Sequence, residues 1–218
     1  MTRDSQVQVG TGTVTVAGTG WAEAAPDLVL VSVEAECRAQ SVAEAYAAAG
    51  EGLAAVASAL RGRGVAPSDI RSTGLSVRAD LAWRDGEGQK LVGYVAAASL
   101  AVRLRDLGNA SAVISDAVLA GGDAVRLNSL QLVLSDEAGV RAQARDAAWQ
   151  DAVRAAGQYA SLASATLGRV ASVTDQRPSP GPVPLAGLQR AAATEPMAIE
   201  PGLNPVEATV TATWELRY

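Results

Sequence analysis

Catalysis in this chain would have to begin from Cys37, Lys90, a serine or a pair of carboxylates, because the sequence contains no histidine. A Ser-His-Asp triad is therefore impossible. A Ser-Lys variant would depend on Lys90, the only lysine, at the edge of the hairpin expected around Asp85-Gly86. Cys37 ends an alternating apolar stretch and reads as a buried structural thiol. A reactive thiolate needs an electropositive neighbourhood, and no histidine is available to supply one. Glu34 and Glu36 fall on the solvent row of a strand, and Asp136 and Glu137 sit where a helix N-terminus welcomes negative charge. With one cysteine and no histidine, the chain can form neither an internal disulfide nor a multi-cysteine zinc site.

The glycine pairs Gly10/Gly12 and Gly18/Gly20 resemble a nucleotide loop only in part. Thr15 and Glu23 stand where the third glycine of Gly-x-Gly-x-x-Gly belongs, and strands follow rather than a helix N-terminus. They read as turn glycines. No Gly-Lys-Ser/Thr step exists, which excludes a P-loop. The residues thus point to no catalytic, cofactor or metal site, and to a protein that is not an enzyme.

Four tryptophans remain as possible anchors of recognition. Trp83 and Trp214 continue apolar strand faces and are expected in the core. Trp149 recurs with Val153, Ala156, Ala160 and Ala163 at helical spacing. Trp21 lies in a Gly-rich stretch read as a turn and is the candidate for contact with another subunit, together with Pro182 and Pro184.

The elements that carry these residues can be traced by periodicity. Strands are expected at Thr13–Val16, Leu28–Cys37, Leu75–Arg84, Val92–Leu104, Leu127–Leu134, Arg169–Asp175 and Val206–Tyr218. Helices are expected from the Ser41-x-x-Glu44 capping box to Gly62 or Gly64, over Leu107–Ala120, and from Ser135 or Asp136 to Leu167. Gly50 and Gly52 inside the first helix suggest close packing against a sheet. The order β-β-α-β-β-α-β-α-β-β is that of an α+β fold: antiparallel sheets with helices packed on one face, in two interlocked units. The expected division is an outer unit of residues 13–72 and 136–218 around an inserted β-β-α-β unit, residues 73–135. Residues 176–205 are rich in proline and read as a loop or arm.

Composition narrows the partners. The chain has 218 residues, a net charge of −5 and no phenylalanine. Acidic balance argues against nucleic acid, and Arg61, Arg63 and Arg71, the nearest approach to a basic patch, read as solvated arginines. The longest uncharged apolar run, Leu91 to Val102, is too short to span a bilayer. Met1 to Gln6 has no apolar leader, so the chain as given reads as cytoplasmic, or as exported if a leader has been removed.

Several motifs in order resemble the SIMPL-domain family. They are Val14-x-Val16-x-Gly18-x-Gly20, Pro26-Asp27 before a strand, and Asp69-Ile70-x-x-Thr73 leading into Leu75-Ser76-Val77. Gly93-Tyr94, Asp106-Leu107, the Leu132 to Asp136 step and Pro201-Gly202 before the last strand complete the set. The resemblance covers Thr13 to Tyr218. It implies an α+β fold of two units, large ring-like homo-oligomers, and an association with oxidative-stress tolerance or the bacterial envelope. It supplies no catalytic residues. The expected function is a non-enzymatic homo-oligomeric scaffold or interaction protein with an unspecified protein partner. The alternative is a small-molecule-binding or oxidative-stress-protective factor with a pocket between the two units.

Overall fold

Alternation of period two means that one side of a strand is buried while the other stays wet. Val29, Val31, Val33 and Ala35 of strand β2 (Leu28–Ala39) are buried, while Ser32, Glu34 and Glu36 between them are not. A computed structural model describes residues 12–86, 88–176 and 199–218. Those residues form seven strands and three α-helices in the order the periodicity gives. The strands make two antiparallel sheets, and the fold is α+β.

One unit holds strand β1 (Gly12–Ala24), helix α3 (Ala138–Leu162), and strands β6 (Thr166–Gln176) and β7 (Asn204–Arg217). Its sheet runs β1-β7-β6. Helix α3 lies on one face through Ala144, Ala148, Ala152, Ala156 and Ala160, every fourth residue and all buried. A stripe of methyl groups brings the helix axis close to the sheet. Opposite it, β1 presents Gly18 and Gly20. A Cβ on Gly18 would meet the Ala148 carbonyl oxygen, the Ala152 amide nitrogen and, at 2.7 Å, the Ala152 Cβ. Gly18-Thr19-Gly20-Trp21 is thus strand interior, not the turn its glycines suggest, and the glycines serve close approach to a helix rather than unusual backbone angles. Midway along the same helix, the Trp149 and Trp214 rings pack with centroids 5.5 Å apart and planes tilted by 39°. Helix α3 stops at Leu162, before Ser164 turns left-handed at φ 54°, rather than running on to Leu167. Gly168 is instead pressed against the Glu215 carbonyl oxygen.

The other unit holds β2, helix α1 (Val42–Gly62), strands β3 (Ile70–Arg84) and β4 (Gly88–Leu104), helix α2 (Leu107–Gly121) and strand β5 (Val125–Val133). Its sheet runs β3-β4-β2-β5. The Ser41 hydroxyl accepts the Glu44 amide at the start of α1, and Asp106 accepts from Asn109 at the start of α2. Both helices cover the face formed by Val29, Val31, Val33, Leu100 and Val102, into which Val56, Leu60 and Val113 pack. A Cβ added to Gly52 would lie 3.4 Å from the Ala35 Cβ, whereas one added to Gly50 would meet nothing within 4 Å.

The units divide at Ala24/Ala25 and at Ser135/Asp136. A further division falls at Gly202/Leu203. Strand β2 pairs with β4 on one side and β5 on the other, so β2 and α1 belong with the four-stranded sheet.

Candidate functional site

Strand β3 is long and lies at the edge of its sheet. Its pairing with β4 continues to Arg84 opposite Gly88, whereas β2 follows β4 only as far as Ala39 opposite Tyr94. Residues beyond Asp80 and Gly93 therefore form a two-stranded ribbon that leaves the sheet. Register shifts at the bulge after Asp80, which sets Leu81 opposite Leu91 and Trp83 opposite Gln89. Bulges of this kind re-aim a ribbon and raise its twist.

The ribbon carries large apolar groups into solvent. Trp83 is 72% exposed, and Leu81 and Leu91 are each more than half exposed. Leu75 and Val77, which share a sheet face with Ala98 and Ala96, are also uncovered, because the helix layer rests on β2 and β4. The expectation that Trp83 belongs to the core is thus corrected. Alternation identified a real apolar face, but on an edge strand no helix reaches it. Trp214, in the central strand β7, is 4% exposed, as a core residue should be. Contiguous exposed apolar surface on a sheet edge is what interaction sites offer.

Trp21 lies on β1 opposite Glu207, and it is 67% exposed on the face away from α3. That face is lined by threonines, of which Thr15 and Thr213 hydrogen-bond across the strands at 2.9 Å. Pro182 and Pro184 lie outside the described residues, as does most of the proline-rich segment. Ile199, near its end, packs against the core of the four-stranded unit.

The polar groups that might have done chemistry each have a local partner. Glu34 accepts hydrogen bonds from the Ser99 hydroxyl at 3.1 Å and the Asn128 amide at 3.3 Å, while Glu36 pairs with Arg78. Asp136 accepts the Ala138 amide at the start of α3, and Glu137 pairs with Arg141 one helical turn on. Cys37 is half-buried against an alanine cluster that includes Ala45, Ala49 and Ala96. Among the described residues, no three His, Cys, Asp or Glu side chains converge as metal ligands would.

Two aspartates are held more firmly. Asp69 is buried, and Arg105 grips it with two parallel hydrogen bonds, Nε to Oδ2 and Nη2 to Oδ1, both 2.9 Å. That grip holds the Asp69 carboxyl below its ordinary value, against desolvation, which acts to raise it. Asp27 accepts the Ser135 hydroxyl and the Ser135 backbone amide, both at 2.6 Å, and these bonds likewise lower its pKa. Ser135 is thereby committed to Asp27, which leaves Asp136 to cap α3.

Both units, then, are antiparallel sheets with helices on a single face, which places the chain among α+β proteins. Residues 14–214 match the model of the SIMPL family, described as proteins of unknown function (DUF541), and the chain belongs to that family. Among curated proteins it is similar to the 26 kDa periplasmic immunogenic proteins of Brucella melitensis and Brucella abortus. Each is 26% identical over 176 residues, which cover 77% of this chain and 70% of the relative. Among the described residues, no helix is long and apolar enough to cross a membrane.

Proposed function

We propose that the protein is a non-enzymatic homo-oligomeric scaffold or interaction module that acts outside the cytoplasm. The observation that carries this reading is the β3–β4 ribbon, whose Leu81, Trp83 and Leu91 are exposed beyond the sheet. A second copy of the chain is the simplest partner able to bury that surface, since a symmetric contact uses one patch twice. Export is favoured by the printed description of both Brucella relatives as periplasmic. Those relatives lend no support to the cytoplasmic expectation. The non-enzymatic part rests on the absence of histidine and on carboxylates that are each satisfied by a near neighbour.

Light scattering behind a sizing column tests the assembly. The expected result is a discrete oligomer that shifts to smaller species when Leu81 and Trp83 are both replaced by serine. A wild-type protein that stays monomeric at high concentration sinks the scaffold reading. An oligomer of unchanged mass in the double variant sinks the ribbon as its contact.

A further inference from the structure

The wet face of the four-stranded sheet holds a feature that assembly does not require. Near the Asp69 end of β3, a groove of about 480 Å³ is open on the side away from the helices. Register determines which side chains meet there. Arg71 of β3 is opposite Ala101 of β4, which is opposite Ser32 of β2, which is opposite Ser129 of β5. One step along, Arg103 is opposite Leu30, and Leu30 is opposite Gln131. Ala101, Ser32 and Leu30 of the central strands form the floor, with the two arginines on one side and Ser129 and Gln131 on the other.

Arg71 and Arg103 stand in a diagonal relation on the same face, where Cβ atoms lie roughly 7–8 Å apart and long side chains can converge. Like charges so placed repel each other unless an anion lies between them. Neither guanidinium makes a hydrogen bond or ion pair to another described residue. The nearby carboxylate is Asp69, which is near enough to Arg103 for their charges to interact. Both of its oxygens, however, are taken by Arg105. Arg105 also feels the charge of Asp27, so Arg71, Arg103 and Arg105 outnumber the two carboxylates near them, a local excess of positive charge in a chain whose net charge is −5. Glu34, farther along the same face, is occupied by Ser99 and Asn128.

We propose that this groove binds a phosphate-class oxyanion. Arg71 and Arg103 would grip it with their planar forks, and the hydroxyls of Ser32 and Ser129 and the Gln131 amide would donate to the remaining oxygens. The site lies wholly within the four-stranded unit and is independent of the ribbon. The anion is a free phosphate or the phosphate of a lipid headgroup, and the two sources present the same chemistry to the arginines.

Calorimetric titration of the full chain with inorganic phosphate at low ionic strength is the first arm. Sedimentation with phosphatidylglycerol vesicles, against phosphatidylcholine vesicles, is the second. Saturable binding in either arm is expected, weakened about tenfold by Arg71→Gln or Arg103→Gln, the size of one lost charge-assisted hydrogen bond. Arg154→Gln, an exposed change on α3, is expected to leave binding intact. Amide chemical-shift changes centred on Ser32 and Ser129 give a readout that does not depend on substitution. Binding to phosphate identifies a soluble ligand, and binding to phosphatidylglycerol vesicles alone identifies a lipid headgroup. No saturable binding in either arm up to about 10 mM overturns the proposal. So does binding that survives the Arg71→Gln/Arg103→Gln double change.

Discussion

Gly18 faces the Ala148 carbonyl oxygen so closely that a β-carbon on the glycine would overlap it. The obstructing atoms are backbone, in the middle of a helix, and cannot swing aside as a side-chain tip can. Gly18→Ala must therefore lift α3 from β1 or bend the strand. A loss of about 1–3 kcal/mol is expected, the usual scale for overpacking a tight interior. Urea denaturation gives the measurement, and an unchanged midpoint would refute the tight-packing account of this glycine.

Gly50 predicts the opposite sign. It lies mid-helix in α1, is exposed, and has nothing within 4 Å of where its Cβ would be. Gly50→Ala is expected to raise stability by about 0.5–1 kcal/mol, because glycine leaves more backbone freedom in the unfolded chain. Comparing it with Gly52→Ala, which adds a methyl facing the Ala35 Cβ at 3.4 Å, tells backbone entropy from packing.

The tryptophans separate folding from surface function. Trp214 is buried against Trp149, and Trp214→Ala is expected to cost about 3–5 kcal/mol. Trp83 is mostly exposed, so Trp83→Ser in the monomer is expected to change stability by no more than about 0.5 kcal/mol. Thermal melts of dilute protein provide the comparison. A large loss at Trp83 without a change in oligomeric state would mean that the ribbon packs on its own chain.

Acid sensitivity should trace to Asp27 and Asp69. Both carboxyls titrate below the ordinary value of 3.8 in the folded protein, through Ser135 and through Arg105. Their contribution is thus complete above that value and is lost as pH falls through the depressed folded values. Asp27→Asn and Asp69→Asn are each expected to be less stable than wild type at neutral pH. The gap should close as pH falls through those depressed values, where the native carboxyls become protonated too. Urea midpoints measured across that range decide it, and a gap that stays constant with pH would rule out the linkage.

Much of the fold could be read in the sequence because period-two and helical patterns survive wherever one face is buried. The element order, the Ser41 cap, the Asp85-Gly86 turn and the one-sided sheets all follow from such local signals. Other features depended on partners far away in the chain. The glycines of β1 carry no mark that separates a turn from a close approach, since the decisive neighbour, α3, begins more than a hundred residues later. Trp83 shows the same alternation as a core residue, and only its edge position exposes it. The pairing of β2 with β5, which places β2 in the four-stranded sheet, leaves no local trace either. Arg71 was visible as a cation, but Arg103 sat unnoticed in an apolar strand. Its meaning emerged once the register set it diagonal to Arg71.

The bond pair between Asp27 and Ser135 joins the two ends of residues 25–135, the longer of the two chain segments in the four-stranded unit. A segment whose ends meet in this way has the geometry of an inserted module. Neighbouring ends are what allow one domain to be inserted within another without disturbing either core. The exposed ribbon and the sheet that anchors the chain's last strand are thus on separate units. Substitutions in the ribbon or the arginine groove therefore leave the Ala-Gly packing of α3 on β1 untouched.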